Sequence, residues 1–198
     1  VFQYNAEGQM TSRRGPCKPG DPLPNAAINA YDAWGNLLSA KDENGNETTY
    51  QYDSQDRLVS VADPTGRTTT SAYDLLGRLA SRTDAGGATT TWTRNVHGWT
   101  TAVTDALGNV TRYEYDEGGL VLKVTDAKGN ETLYEYDAAG RRVKTRAKLN
   151  QNVFLDAESE YDAAGNLTVS TDPLNHATTY EYDDVGRLVA VTNAANAG

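Results

Sequence analysis

The sequence predicts an all-β fold, an antiparallel array of β-hairpins. Three observations carry this. A phrase, Tyr-Asp-x-x-Gly-(Arg/Asn)-Leu, returns every 21 residues along nearly the whole chain. A second turn phrase, Asp-x-x-Gly-x-x-Thr, stands midway between successive copies. The segments left between turns are about six residues long and alternate tyrosine with polar residues, the length and period of strands.

The copies follow in order. Tyr4-Asn5-Ala6-Glu7-Gly8-Gln9-Met10 opens the series, and Tyr31-Asp32 with Gly35-Asn36-Leu37 comes 27 residues later. Tyr52-Asp53 with Arg57-Leu58 and Tyr73-Asp74 with Gly77-Arg78-Leu79 keep the 21-residue step. The next copy is degenerate, Arg94-Asn95-Val96-His97-Gly98-Trp99. Tyr115-Asp116 with Gly119, Tyr136-Asp137 with Gly140, Tyr161-Asp162 with Gly165 and Tyr182-Asp183 with Gly186 complete the set; the step from Tyr136 to Tyr161 is 25. A fixed period means one supersecondary unit stacked on copies of itself, so residues 1–198 read as a single array of about nine repeats. A feature present in every copy reads as scaffold.

Each turn phrase has its own chemistry. An Asp at the first turn position accepts a bond from a backbone N–H two residues on, and Gly supplies the positive φ that closes a four- or five-residue hairpin. The intermediate phrase runs Asp42 with Gly45, Asp63 with Gly66, Asp84 with Gly87, Asp105 with Gly108 and Asp126 with Gly129. Asp172 stands with Asn175, which tolerates the same conformation.

The strands before the Tyr-Asp phrases read Arg112-Tyr113-Glu114-Tyr115, Leu133-Tyr134-Glu135-Tyr136 and Thr179-Tyr180-Glu181-Tyr182. One face is then a ladder of tyrosines stacked in register, the other charged and solvated. Two Phe, one Met, a single Ile (Ile28) and a mean hydropathy of -0.64 leave little to fill a two-layer core. A wide, twisted sheet suits that supply better than a sandwich. Tyr-Asp turns should line one edge and the intermediate turns the other. The two longer steps carry their extra length at intermediate turns, in Arg13–Pro22, expected as a loop, and in Lys148–Phe154.

Charge and composition exclude function classes. The net charge of -9 disfavours a nucleic-acid partner. One cysteine, Cys17, allows neither an intrachain disulfide nor a cysteine metal site. No apolar run reaches the roughly 18 residues of a membrane span. The chain opens mid-strand at Val1-Phe2-Gln3-Tyr4 and closes mid-repeat, so it reads as a piece of a longer protein.

No catalytic, cofactor or metal set is expected. His97 and His176 fall in turns of opposite edges, and neither has a Ser or Cys partner. Asp42-Glu43-Asn44-Gly45-Asn46-Glu47 resembles the start of a calcium loop, but its Gly comes early and no helices flank it. Glu114, Glu135, Glu160 and Glu181 recur at one repeat position, which marks a solvated face. The degenerate copy gathers Trp92, Arg94, His97 and Trp99, the residue types of a ligand or sugar platform; the plainer reading is a drifted copy in which Trp92 keeps the tyrosine's ladder position.

Tyr-Asp-x-x-Gly-Arg-Leu at this spacing resembles the YD repeat of Rhs proteins, related Tc-toxin components and teneurins, over residues 2–193. The resemblance implies a β-ribbon spiralling into a hollow shell, of which this chain is an arc or partial turn. In bacterial members it implies an enclosed C-terminal toxin freed by self-cleavage beside an Asp-Pro-x-Gly-Leu phrase. Here Asp63-Pro64-Thr65-Gly66-Arg67 is the nearest match; it lies mid-array and ends in Arg, so it reads as scaffold.

The expected function is therefore a non-enzymatic piece of a toxin-packaging shell in a secreted or delivered bacterial effector. Its partners are neighbouring repeats and the enclosed toxin, and its end strands are open to self-association. The alternative is a cell-surface adhesion or carbohydrate-binding module.

Overall fold

The computed structural model describes residues 1–15, 26–150 and 153–193. Of the loop expected over Arg13–Pro22, Arg13 ends a strand and the part from Pro16, with Cys17, lies outside the described residues, as do residues 23–25, Gln151, Asn152 and residues 194–198. The described residues form eighteen strands and no helix. They group into two compact units, Val1–Trp92 with Asp105–Leu107, and Thr93–Thr104 with Gly108–Gly198.

The first unit contains β1 (Phe2–Tyr4), β2 (Met10–Arg13), β3 (Ala27–Tyr31), β4 (Leu37–Lys41), β5 (Glu47–Tyr52), β6 (Leu58–Ala62), β7 (Thr68–Tyr73), β8 (Leu79–Thr83) and most of β9 (Thr89–Arg94). The second contains β10 (Thr100–Thr104), β11 (Val110–Tyr115), β12 (Val121–Thr125), β13 (Glu131–Tyr136), β14 (Arg142–Asn150), β15 (Val153–Tyr161), β16 (Leu167–Thr171), β17 (Ala177–Tyr182) and β18 (Leu188–Asn193). In each unit consecutive strands pair antiparallel, as the turn spacing predicts.

The turns are shorter than expected. Asp137 N–H donates to Arg141 O at 2.9 Å and Gly140 N–H to Asp137 O at 3.0 Å, which closes a three-residue loop, and the same pair of bonds recurs at both phrases. This is a type I turn followed by a left-handed residue, whose twist suits a hairpin. At the loop's last position Asn175 has φ 67° and Asp56 φ 58°, the two non-glycine residues there.

The two phrases differ in register. Hairpins that close on Tyr-Asp carry a one-residue bulge: Glu114 faces Lys123 while Tyr115 faces Val121, so Leu122 is extra. The intermediate hairpins of the 21-residue steps have none; Thr104 faces Val110 and Ala102 faces Arg112 without a break. Among the described intermediate hairpins only the lengthened β14–β15 pair shifts register, between Lys148 and Asn150. A bulge re-aims the adjacent side chain, here the motif tyrosine.

No side chain among the described residues is fully buried. Alternation holds: Tyr113 and Tyr115 are half-buried around exposed Glu114, and Tyr134 and Tyr136 around exposed Glu135. The longer step from Tyr136 to Tyr161 does not make a loop of its extra residues. It lengthens a hairpin, giving β14 and β15 nine residues each. Its arms are tied by Arg146 to Asp156 through two bonds of 2.9 Å, Lys144 to Glu158 at 2.6 Å and, on the other side, Lys148 to Glu131 at 3.1 Å. The charged face is thus solvated but also cross-paired.

Candidate functional site

The Tyr-Asp phrase is where most of the chain's specific chemistry lies, and each residue has a separate task. The tyrosines were expected to stack on one another. Among the described residues no two tyrosine rings pair; the phenols of most motif tyrosines instead donate to a backbone carbonyl of the preceding hairpin. Tyr52 reaches Leu37 O at 3.2 Å, Tyr73 Leu58 O at 2.9 Å, Tyr115 Thr100 O at 2.7 Å, Tyr136 Val121 O at 2.9 Å and Tyr161 Arg142 O at 3.2 Å. The acceptor is the residue at the Leu position of the phrase. The bulge aims the ring along the sheet, which removes it from stacking range of the next tyrosine. Burial raises the Tyr52 and Tyr115 hydroxyls above the ordinary phenol range, so they remain donors.

The Asp closes its own turn. Asp137 Oδ1 accepts from Ala139 N and Arg141 N, both at 2.9 Å, and Oδ2 from Arg141 Nε at 2.6 Å. Asp126 does the same in an intermediate turn, with Lys128 N and Asn130 N at 2.8 Å and Asn130 Nδ2 at 2.7 Å. These donors favour the charged form. The Arg57 side chain's hydrogen bond holds Asp53 below the ordinary carboxylate range, and at Asp63 the Thr65 hydroxyl leads a set of donors that brings it to about 2. The candidate calcium loop is this turn: Asp42 Oδ1 takes Asn44 N and Asn46 N, and Oδ2 takes Asn46 Nδ2. Asp63-Pro64-Thr65-Gly66-Arg67 is another instance.

The residue after Gly reaches the next repeat. The Arg57 guanidinium lies 4.8 Å from the centre of the Tyr73 ring and donates to Asp74 O at 3.4 Å. Arg141 lies 4.7 Å from the Tyr161 ring and donates to Asp162 O at 3.2 Å. Gln9 donates to Gly35 O at 3.0 Å. Sequence reading left this position unassigned, although its alternation between Arg and Asn was visible.

The degenerate copy supplies an aromatic occupant. Trp99 sits at the Arg position, and its indole packs against Tyr115 with ring centres 5.4 Å apart. It also covers Gly119, where a Cβ would stand 2.8 Å from the ring, so this glycine is needed for space as well as for its φ of +91°. The exposed His97 ring stacks on Trp99 at 4.8 Å and 24°. The structure therefore brings His97, Trp99, Tyr115 and Gly119 together, with two aromatic rings against Trp99. Trp92 is a half-buried residue of β9 in the first unit; Arg94 ends β9 and belongs to the second. Of the two histidines, His176 lies 3.0 Å from Asp172 Oδ2 within its own turn. Among the described residues no group of three His, Cys, Asp or Glu is placed to hold a metal ion, and no helix is long and apolar enough to cross a membrane.

The remaining motif residues, Asp32, Gly77, Asp116, Gly140, Asp162, Gly165, Asp183 and Gly186, all occupy these same turn positions. Tyr31 donates to Met10 O at 3.2 Å, across the longer first step. Tyr182 ends β17, half-buried.

Comparison with known proteins places this geometry. No curated protein matches the sequence. The crystal structure of TcdB2-TccC3 superposes with a TM-score of 0.77 at 19% identity, over 99% of this chain and 11% of the other. The TcdB2-TccC3-Cdc42 crystal structure gives 0.74 at 19%, over 98% and 11%, and TcdB2-TccC3 without its hypervariable C-terminal region 0.74 at 18%, over the same shares. This chain thus spans about a ninth of the length of those it resembles, and at such identity the likeness shows the fold. The RHS Repeat family matches residues 31–68, 53–90, 94–131, 117–148 and 161–197. With three-quarters of its length matched, its turns closed by the motif Asp and Gly, and its tyrosines tying each hairpin to the last, the chain belongs to the RHS-repeat family.

Proposed function

We propose that this chain is a structural segment of an Rhs-type β-shell whose parent encloses a C-terminal toxin for delivery. The observation that carries the reading is the absence of any fully buried side chain among the described residues. A sheet that makes no core of its own suits a wall. Its cohesion comes from backbone pairing and from ties between successive repeats, which extend as far as repeats are added. The fold likeness to TcdB2-TccC3 over nearly the whole chain supports the same assignment. The array is continuous in this reading, its outer partners are neighbouring repeats of the parent, and the parent is a secreted or delivered effector.

The segment is proposed to do no chemistry. Its turn aspartates are engaged by their own turns, Asp156, Glu131 and Glu158 are in ion pairs, and the aromatic cluster of the degenerate copy is packed as a tie between repeats. The contacts of Trp99 with His97 and Tyr115 favour such a tie over the alternative of a carbohydrate platform at Trp99.

The test is protease protection of the full-length parent. The C-terminal domain should survive a concentration of protease that digests the same domain expressed alone, and should become sensitive once the repeats are unfolded. Equal digestion of the enclosed and free domains would overturn the shell reading. Intact mass of the purified segment, followed over days, should stay constant; a discrete cut insensitive to protease inhibitors would overturn the non-enzymatic reading.

A further inference from the structure

The residue after the turn glycine is Arg in four copies, Asn in two, and Gln9, Trp99 or Leu120 in the others, and where it is Asn a vacancy with a definite shape is left. Arg57 has four neighbours. Its Nε bonds Asp53 Oδ2 at 2.7 Å, its guanidinium covers Tyr73, and it lies against Asp74 O and Gly77. Arg141 repeats this with Asp137, Tyr161, Asp162 and Gly165.

One repeat earlier the same four positions are Asp32, Tyr52, Asp53 and Asp56, and the residue that should span them is Asn36. Its side chain is too short to reach the ring. Asn36 Nδ2 bonds Asp32 Oδ2 at 3.0 Å and Asp56 Oδ1 at 2.9 Å instead. A groove opens there, lined by Asp32, Trp34, Leu38, Tyr52, Asp53 and Asp56. It contains every counterpart of the four groups that hold Arg57.

The charge balance agrees. Asp53 is neutralised by Arg57, Asp74 by Arg78 and Asp137 by Arg141. Among the described residues the partners of Asp32 and Asp56 are neutral: Asp32 accepts from Trp34 N and from Asn36, and Asp56 from Asn36. Asp56 also stands where the other Tyr-Asp turns carry Gly, at φ 58°, so this groove has a carboxylate that the equivalent positions lack. Trp34, 80% exposed, forms one rim. An aromatic surface with uncompensated carboxylates beside it favours a cation, and a planar guanidinium over an ammonium.

We infer that the Asn36–Tyr52 groove receives an arginine side chain from another polypeptide, which takes the place that Arg57 and Arg141 fill within the chain in their own repeats. The groove at Asn166 has the same plan: Asp162, Tyr182, Asp183 and Gly186 line it, and Asp162 is bonded by the neutral Asn166. It lacks the exposed tryptophan and the extra carboxylate at the glycine position, so it is the weaker of the two. The inference is independent of the shell reading, since it rests on the equivalence of repeat positions alone.

The test is a titration of this chain with the peptide acetyl-Gly-Arg-Gly-amide, followed by amide and indole ¹H–¹⁵N spectra. The Trp34 indole and Asp56 amide signals should shift saturably. The peptide with neutral citrulline in place of arginine should bind at least about ten-fold more weakly, and the lysine peptide should fall between. Asn36→Arg supplies the guanidinium within the chain and should weaken binding at this groove at least about ten-fold. Asp56→Gly restores the residue found in the other copies and should weaken it about five-fold with the fold intact, so it carries the test if Asn36→Arg fails to fold. Equal binding of the citrulline peptide, or undiminished binding to Asp56→Gly, would overturn the inference, as would the absence of any saturable shift at Trp34.

Discussion

The indole of Trp99 covers Gly119 so closely that a Cβ there would stand 2.8 Å from the ring. Gly119→Ala should therefore cost more than its φ of +91° alone requires. Gly66 is the control, with φ +83° and nothing within 4 Å of its Cβ position. We expect about 1 kcal/mol for Gly66→Ala, and about 2–3 kcal/mol for Gly119→Ala. Urea unfolding of the two variants checks this; equal losses would show that the indole swings away at no cost.

Tyr136 separates ring burial from hydroxyl bonding. Tyr136→Phe removes the 2.9 Å bond to Val121 O and should cost about 1 kcal/mol. Tyr136→Ala also loses the half-buried ring and should cost about 2 kcal/mol or more, below the range for a fully buried aromatic. Chemical denaturation of both variants is the measurement, and a Phe variant as stable as the parent would mean that the hydroxyl bond contributes nothing.

Acid should weaken the fold in a set window. Hydrogen bonds from Arg146, with further help from Lys144, hold Asp156 at about 2, and Asp63 also stands at about 2, against an ordinary value of 3.8. A depressed carboxylate contributes stability that is fully present above its unfolded pKa and lost as pH falls through the folded one. Stability should thus fall progressively from about pH 4 to about pH 2. Urea midpoints measured at pH 7, 5, 3 and 2 will show it; Asp156→Asn should make the decline shallower, and an unchanged slope would remove Asp156 from the account.

The end strands should pair between molecules. Among the described residues β1 pairs only with β2 and β18 only with β17. Val189 and Val191 on β18 are 61% and 53% exposed. An open strand edge is a template for another chain, while the net charge of -9 opposes approach. Sedimentation should show association that grows with concentration and with salt; a strict monomer throughout would mean that the edges are covered.

Much of this was legible in the sequence. Tyr-Asp-x-x-Gly located the strand ends, because Asp and Gly state turn chemistry directly, and Asn175 was read correctly as a glycine substitute. The alternation of Tyr134, Glu135 and Tyr136 gave the two faces. The bulge at Leu122 was not legible, because an extra residue beside a turn leaves the period unchanged. Without it, alternation alone places the tyrosines in a stack and hides their bond to the preceding hairpin. The role of Arg57 and Trp99 was missed for a related reason: a contact one repeat away has no local signature. The signal that would have found it was the coincidence of a long or flat side chain with a glycine 20 residues later, as in Trp99 and Gly119.

Among the described residues, contacts between strands within each unit join only those adjacent in sequence. Pulled from one end, such a chain would yield one hairpin at a time, each step breaking one tie like that of Tyr136 to Val121. Resistance would rise and fall with the repeat, without a single cooperative rupture. A structure so assembled can be strong against solvent and still be opened progressively by a force applied at its end.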